Sequence, residues 1–231
     1  MTTESNSTPE EPTPPRAHSA QDKKMETKLI VAGQLGKALL EETEVTAELK
    51  EGSYDQPELL RFTELQKKGW DDFVIQGQAA AEQKIATKKF NAANRSARGT
   101  FTKFRGMGKS AFMKDPEGRQ AVGLNGGEPD SFALLIGAGR KLTAAGGKPE
   151  YAVMLAKKGV TAVKLADLGA KLDALEAANQ AQEDAKAAAG KALAQRNASA
   201  QLVFDWVAEF RMFAKAEFKD QPDVLKRWGL K

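Results

Sequence analysis

Between residues 24 and 51 the apolar positions recur at helical spacing (Leu29, Ile30, Gly33, Leu39 or Leu40, Val45, Leu49), and Gly52-Ser53 closes the run. That pattern predicts one helix. A far longer run starts near Asp55 or Gln56 and accepts Pro57 in its first turn. It carries Leu59, Phe62, Leu65, Phe73, Ile85, Phe90, Phe101, Phe104 and Phe112 before ending near Lys114. Unbroken, it would span about 87 Å at 1.5 Å per residue, so it must overhang its partner or bend. Gly69, Gly77 and Gly99 are the candidate bends. Pro116 then opens a one-turn helix closed by Gly123, and Leu124 supplies the apolar contact of a helix C-terminal cap.

The same layout follows a second time. Residues 129–157 predict a helix bent or divided at Pro149, and residues 161–219 a long helix with Gly169 and Gly190 as candidate bends. Pro222 opens a short helix closed by Gly229 before Leu230. Sliding the chain by 106 positions lays Phe104, Arg105, Lys109, Phe112, Pro116, Gly123 and Leu124 onto Phe210, Arg211, Lys215, Phe218, Pro222, Gly229 and Leu230. Over the full window, 25–124 against 131–230, 21 of 100 ungapped positions are identical, where composition alone gives roughly seven. No alternating, β-branched strand pattern occurs. The expected fold is therefore all-α, a tandem duplication of a helical hairpin forming a four-helix-bundle-like architecture.

The organisation expected from this reading is a disordered tail at 1–21, a first repeat at 22–124, a flexible linker at 125–129 and a second repeat at 130–231. The tail is rich in Ser, Thr, Glu and Pro and has almost nothing to bury. The linker, Asn125-Gly126-Gly127-Glu128-Pro129, is all turn chemistry. Neither hairpin can cover both of its apolar faces alone, so the repeats are expected to share one core with Phe104 and Phe210 in a single layer. The halves should then fold poorly when separated.

Composition narrows the chemistry. Of 231 residues 41% are hydrophobic, enough for a sizeable core, and there is no Cys, which excludes disulfides and thiolate chemistry. The first residues lack the basic and apolar regions of a signal peptide, and no run approaches the length of a membrane span. A cytoplasmic location is the expectation. The single His, His18, falls in the tail, so di-metal carboxylate and His-based acid–base schemes have no donor. No cofactor, metal or catalytic residue is expected.

Two local motifs imitate nucleotide sites. Gly106-Met-Gly108-Lys109-Ser110 resembles the end of a phosphate-binding loop, but Lys103 stands where the motif needs its first Gly. Leu135-Ile-Gly137-Ala-Gly139-Arg140 resembles a dinucleotide turn, but Leu142 replaces the third Gly and no strand precedes it. Both read better as helix interior.

One charge asymmetry stands out. Residues 84–119 carry ten Lys or Arg against two acids, whereas residues 1–58 hold twelve acids against six bases. Lys84, Lys88, Lys89, Arg95, Arg98, Lys103, Arg105 and Lys109 form the candidate polyanion-binding strip. The alternative is that the acidic first helix packs beside the strip and neutralises it. The matching stretch of the second half, 190–225, has five acids against five bases, so the strip is no requirement of the common scaffold.

A Gly-terminated first helix, a long Ala/Gln/Glu-rich helix, then Phe-Arg-x-x-x-Lys-x-x-Phe-x-x-x-Pro and a terminal Gly-Leu, given twice, resembles a set of bacterial two-repeat helical proteins without assigned activity. Residues 205–230 carry most of the likeness, which implies an all-helical fold and imports no catalytic residue. The residues themselves favour a non-enzymatic helical bundle acting through protein contacts, as scaffold, adaptor or assembling subunit. Trp206, Phe210, Phe213, Phe218 and Trp228 are the candidate core and interface residues. Protein partners or self-association come first, and nucleic-acid or polyanion binding through residues 84–119 is the second reading.

Overall fold

A computed structural model describes residues 19–230, and the predicted tail at 1–21 lies almost wholly outside them. Among the described residues there are eight helices and no strand. They are α1 (Ala20–Leu40), α2 (Thr46–Glu51), α3 (Gln56–Ala111), α4 (Pro116–Ala121), α5 (Phe132–Gly146), α6 (Pro149–Lys157), α7 (Ala162–Glu217) and α8 (Pro222–Arg227). No helix among them is long and apolar enough to cross a membrane.

The first helix begins earlier than the apolar pattern suggests. Ser19 and Asp22 form a reciprocal capping box: the Ser19 hydroxyl accepts the Asp22 backbone N–H at 3.1 Å, and the Asp22 carboxylate accepts the Ser19 N–H at 3.2 Å. The expected single helix over 24–51 is two, α1 and α2, separated at residues 41–45. No Gly or Pro marks that break. Instead the Glu42 carboxylate takes the backbone N–H groups of Thr43 and Glu44, ending the helical ladder, and also accepts the indole N–H of Trp228. Pro149 divides the later pair cleanly, with α5 ending at Gly146 and α6 starting on the proline.

Both long helices run 56 residues, and α3 stays helical through Gly69, Gly77 and Gly99 as α7 does through Gly169 and Gly190. The bounds of α3 and α7 differ by 106 positions at each end, and so do those of α4 and α8. All four short helices end alike. Tyr54, Leu124, Val160 and Leu230 each donate a backbone N–H five residues back, across a residue of positive φ. That residue is Gly at 123, 159 and 229 but Ser at 53 (φ 66°). Leu124 and Leu230 are buried beside their glycines, completing the apolar part of the cap.

The chain divides into two units, and the boundaries fall inside both long helices. The first unit takes the chain up to Ala81 and from Ala189 onward; the second is the continuous stretch Glu82–Ala188. Where one core was expected, the buried side chains form two. The first gathers Leu29, Leu35 and Leu39 of α1, Leu49 of α2, Leu59 and Phe62 of α3, Val203, Trp206, Phe210 and Phe218 of α7, and Trp228 and Leu230. The second gathers Phe101, Phe104 and Phe112 of α3, Val122 and Leu124, Leu135 and Leu142 of α5, Leu155 of α6, and Leu165, Leu168, Leu172 and Leu175 of α7. Phe104 and Phe210, expected in one layer, therefore belong to different cores. Each core is closed by the start of one long helix and the end of the other, a pairing that apolar periodicity along one helix does not encode.

The filling differs between units. In the first, Phe62 stacks on Trp206 at 3.7 Å between centroids, and Trp206 on Phe210 at 5.4 Å. The Trp206 indole N–H donates to Glu58 at 2.8 Å, so its polar edge is not left unpaired on burial. Trp206, Phe210, Phe218 and Trp228 are buried and Phe213 is partly buried against the same core. Their structure role is core, and none of the four buried rings is left to form an interface.

Candidate functional site

The cationic strip lies on the end of α3 that belongs to the second unit, and the structure splits it into two groups. Arg98, Arg105 and Lys109 are half-buried because they hold the 125–130 connector. The Arg98 guanidinium donates to the carbonyls of Pro129 and Asp130. Arg105 donates to the carbonyls of Gly126 and, at 2.8 Å, of Gly127; Lys109 reaches Gly126 at 3.4 Å. Thr102 donates to the Glu128 carboxylate, and Arg119 Nε to the Asn125 side-chain oxygen at 2.9 Å. Pro129 is buried. The linker expected to be flexible is thus pinned, because backbone carbonyls that no helix uses need donors and Arg presents several in a fixed fork.

The partners of these three cations are carbonyls in the connector, not carboxylates of the first helix, so neutralisation by that helix does not describe them. Partial desolvation, then the like charges of Arg105 and Arg119, hold the Lys109 ammonium below the usual lysine range.

Lys84, Lys88, Lys89, Arg95 and Lys103 behave differently. All five are exposed, and none makes a hydrogen bond or ion pair among the described residues. Lys84, Lys88 and Arg95 recur at spacings of four and seven, which places them on one stripe of α3 over about 16 Å. Lys89 and Lys103 sit on a neighbouring stripe.

Other polar groups act structurally. In the first unit the nearly buried Arg196 donates to Asp22 at 2.7 Å, to Gln76 at 3.1 Å and to Asn197 at 3.0 Å. This ties the first turn of α1 to α7. Ser19's hydrogen bond, opposed by burial and helped by Arg196, keeps the Asp22 carboxyl below the usual range. Buried Asp72 accepts from Lys68 and from Gln195, both at 2.8 Å. Burial raises its pKa, but these donors outweigh that and hold it below the ordinary value.

The nucleotide-like motifs fall where helix was expected. Residues 106–110 are inside α3, with Ser110 bonded back to the Met107 carbonyl, and residues 135–140 are inside α5. Among the described residues no group of three His, Cys, Asp or Glu is placed to hold a metal ion. No protein-family profile, curated protein or solved structure matches the chain.

Proposed function

We propose that this chain is a non-enzymatic helical scaffold that acts by self-association, built from a duplicated hairpin unit. The duplication is supported by the shared 106-residue offset of α3/α7 and α4/α8 and by four helix ends closed by one motif. The observation that carries the contact reading is the bare stretch of the second unit. Residues 82–96 of α3 and 176–188 of α7 include no buried residue. They form a shallow hollow lined by Ile85, Ala86, Ala178, Ala181 and Ala185, rimmed by Glu82 and Lys89, with Ile85 54% exposed. An alanine-lined surface permits close approach of another helix, and the exposed isoleucine supplies apolar area to bury.

Light scattering across a range of concentrations tests the reading. The expected result is a mass above 24.9 kDa that rises with concentration and falls for Ile85→Asp, whose exposed position spares the fold. A constant monomer mass for the native chain, unchanged in the variant, contradicts it.

A further inference from the structure

We infer that the second unit binds the phosphodiester backbone of nucleic acid along the exposed face of α3 that carries Lys84, Lys88 and Arg95, with Lys89 and Lys103 beside it. Charge in this chain is segregated. Residues Glu82–Ala188 hold 18 Lys or Arg against 11 Asp or Glu, a net +7, while the remaining sequence holds 17 against 20, a net −3. An overall charge of +4 conceals this.

Within the second unit, the strip's cations are not paired off by acids. Arg98, Arg105 and Lys109 end on neutral carbonyls, which satisfy their donors but leave their charge uncancelled. The five exposed cations have no partner among the described residues. A neutral partner cannot balance a positive field, so the field extends into solvent.

The molecule also contains its own control. Counted from the start of each long helix, Lys84, Lys88, Lys89 and Arg95 correspond to Gly190, Ala194, Gln195 and Gln201 of α7, all exposed and uncharged. The corresponding place for Lys103 holds Glu209. A 56-residue helix therefore forms without cations at these positions, and helix formation does not explain their presence in α3. The three-residue stripe is linear and about 16 Å long. It matches the run of about five phosphates on one strand of a duplex, spaced about 3.4 Å along the axis. A linear row fits a linear polyanion better than a planar one.

The test is fluorescence anisotropy of a labelled 20-base-pair DNA duplex titrated with the full chain at several salt concentrations. One phosphate contact for each of the five exposed cations predicts a slope of log K against log salt near −4.5, roughly 500-fold weaker binding at 200 mM than at 50 mM. Replacing Lys84, Lys88 and Arg95 together by Gln should bring the slope to about −2. Replacing Lys191, Lys215 and Lys219 together by Gln, in the other unit, should leave it unchanged. Circular dichroism confirms that each variant remains helical. No binding at 50 mM overturns the inference. So does a triple variant with the native slope, or binding to vesicles of anionic phospholipid with none to the duplex. Since the duplex assay and the scattering assay read different quantities, failure of either leaves the other interpretable.

Discussion

The two cores are each closed by the start of one long helix and the end of the other, and they are filled with different side chains. Where the first unit stacks Phe62 on Trp206, the corresponding places in the second hold Leu168 and Thr100. Where Leu65 packs beside the first core, the second unit has Lys171, whose ammonium reaches the Thr100 hydroxyl at 3.0 Å. Val122 in the second core stands at the place of Trp228 in the first. Large residues in one unit are matched by small or polar ones in the other as groups rather than singly. Interiors filled to crystal density require this, because changing one member of a packed set leaves a void or a clash. Helices of equal length at the 106-residue offset, α3 with α7 and α4 with α8, thus carry either set of side chains.

The largest effects separate the cores. Phe210→Ala should cost about 3–5 kcal/mol, since its ring is fully buried and stacked between neighbours. Phe104→Ala should cost a similar amount in the other core, and the double variant should show the sum within about 0.5 kcal/mol. Chemical denaturation of the three variants measures this. Strong coupling between them would restore the single shared layer that the apolar pattern suggests.

Among the described residues, an ion pair that includes a buried arginine occurs only in the first unit. Asp22→Asn leaves the Arg196 charge without its carboxylate and should cost about 3 kcal/mol. Arg196→Met should cost less, because Asp22 retains water contact. Equal losses in thermal melts would count against the asymmetry. The pH dependence follows the same residues. Asp22 and Asp72 both titrate below their ordinary values when folded. Their contribution is therefore fully present above the unfolded carboxylate range near 3.9, and is lost as pH falls through the folded values. Melting temperature should be flat from neutral pH to about 5 and then drop steeply below about 4. Replacing Asp22 with Asn should blunt the drop.

The smallest expected effect is a gain. Ser53 holds the positive-φ cap position that Gly fills in the other three short helices. Ser53→Gly should stabilise by about 0.5 kcal/mol, relief of strain outweighing the added freedom of the unfolded chain. A loss of stability on denaturation would show that the serine side chain contributes more than the strain costs.

Much of this architecture was legible from residue spacing. Pro57, Pro116, Pro149 and Pro222 each fall in a helix's first turn, and Gly123 and Gly229 close the short helices they follow. Ser19-x-x-Asp22 was a readable start signal outweighed by the polar composition around it. The break after Leu40 was not readable, because Glu42-Thr43-Glu44 contains no breaker and acts through a side chain bonded to its neighbours' backbone. The division into two cores was equally hidden. A stripe of Phe101, Phe104 and Phe112 announces that a face is covered, but not by which helix. For the candidate surface, the sequence located the cations and the structure sorted them, into three that pin the connector and five that face solvent.

Each core draws on both sequence halves, while Glu82–Ala188 contains one complete core in a single continuous stretch. Thermal unfolding of the isolated fragment 82–188, followed by circular dichroism, tests this most directly. The expected result is a cooperative helical melt for this fragment, whose ends cut through the middle of both long helices. A gradual, non-cooperative loss of signal, with the half-chain 127–231 melting cooperatively under the same conditions, would contradict it.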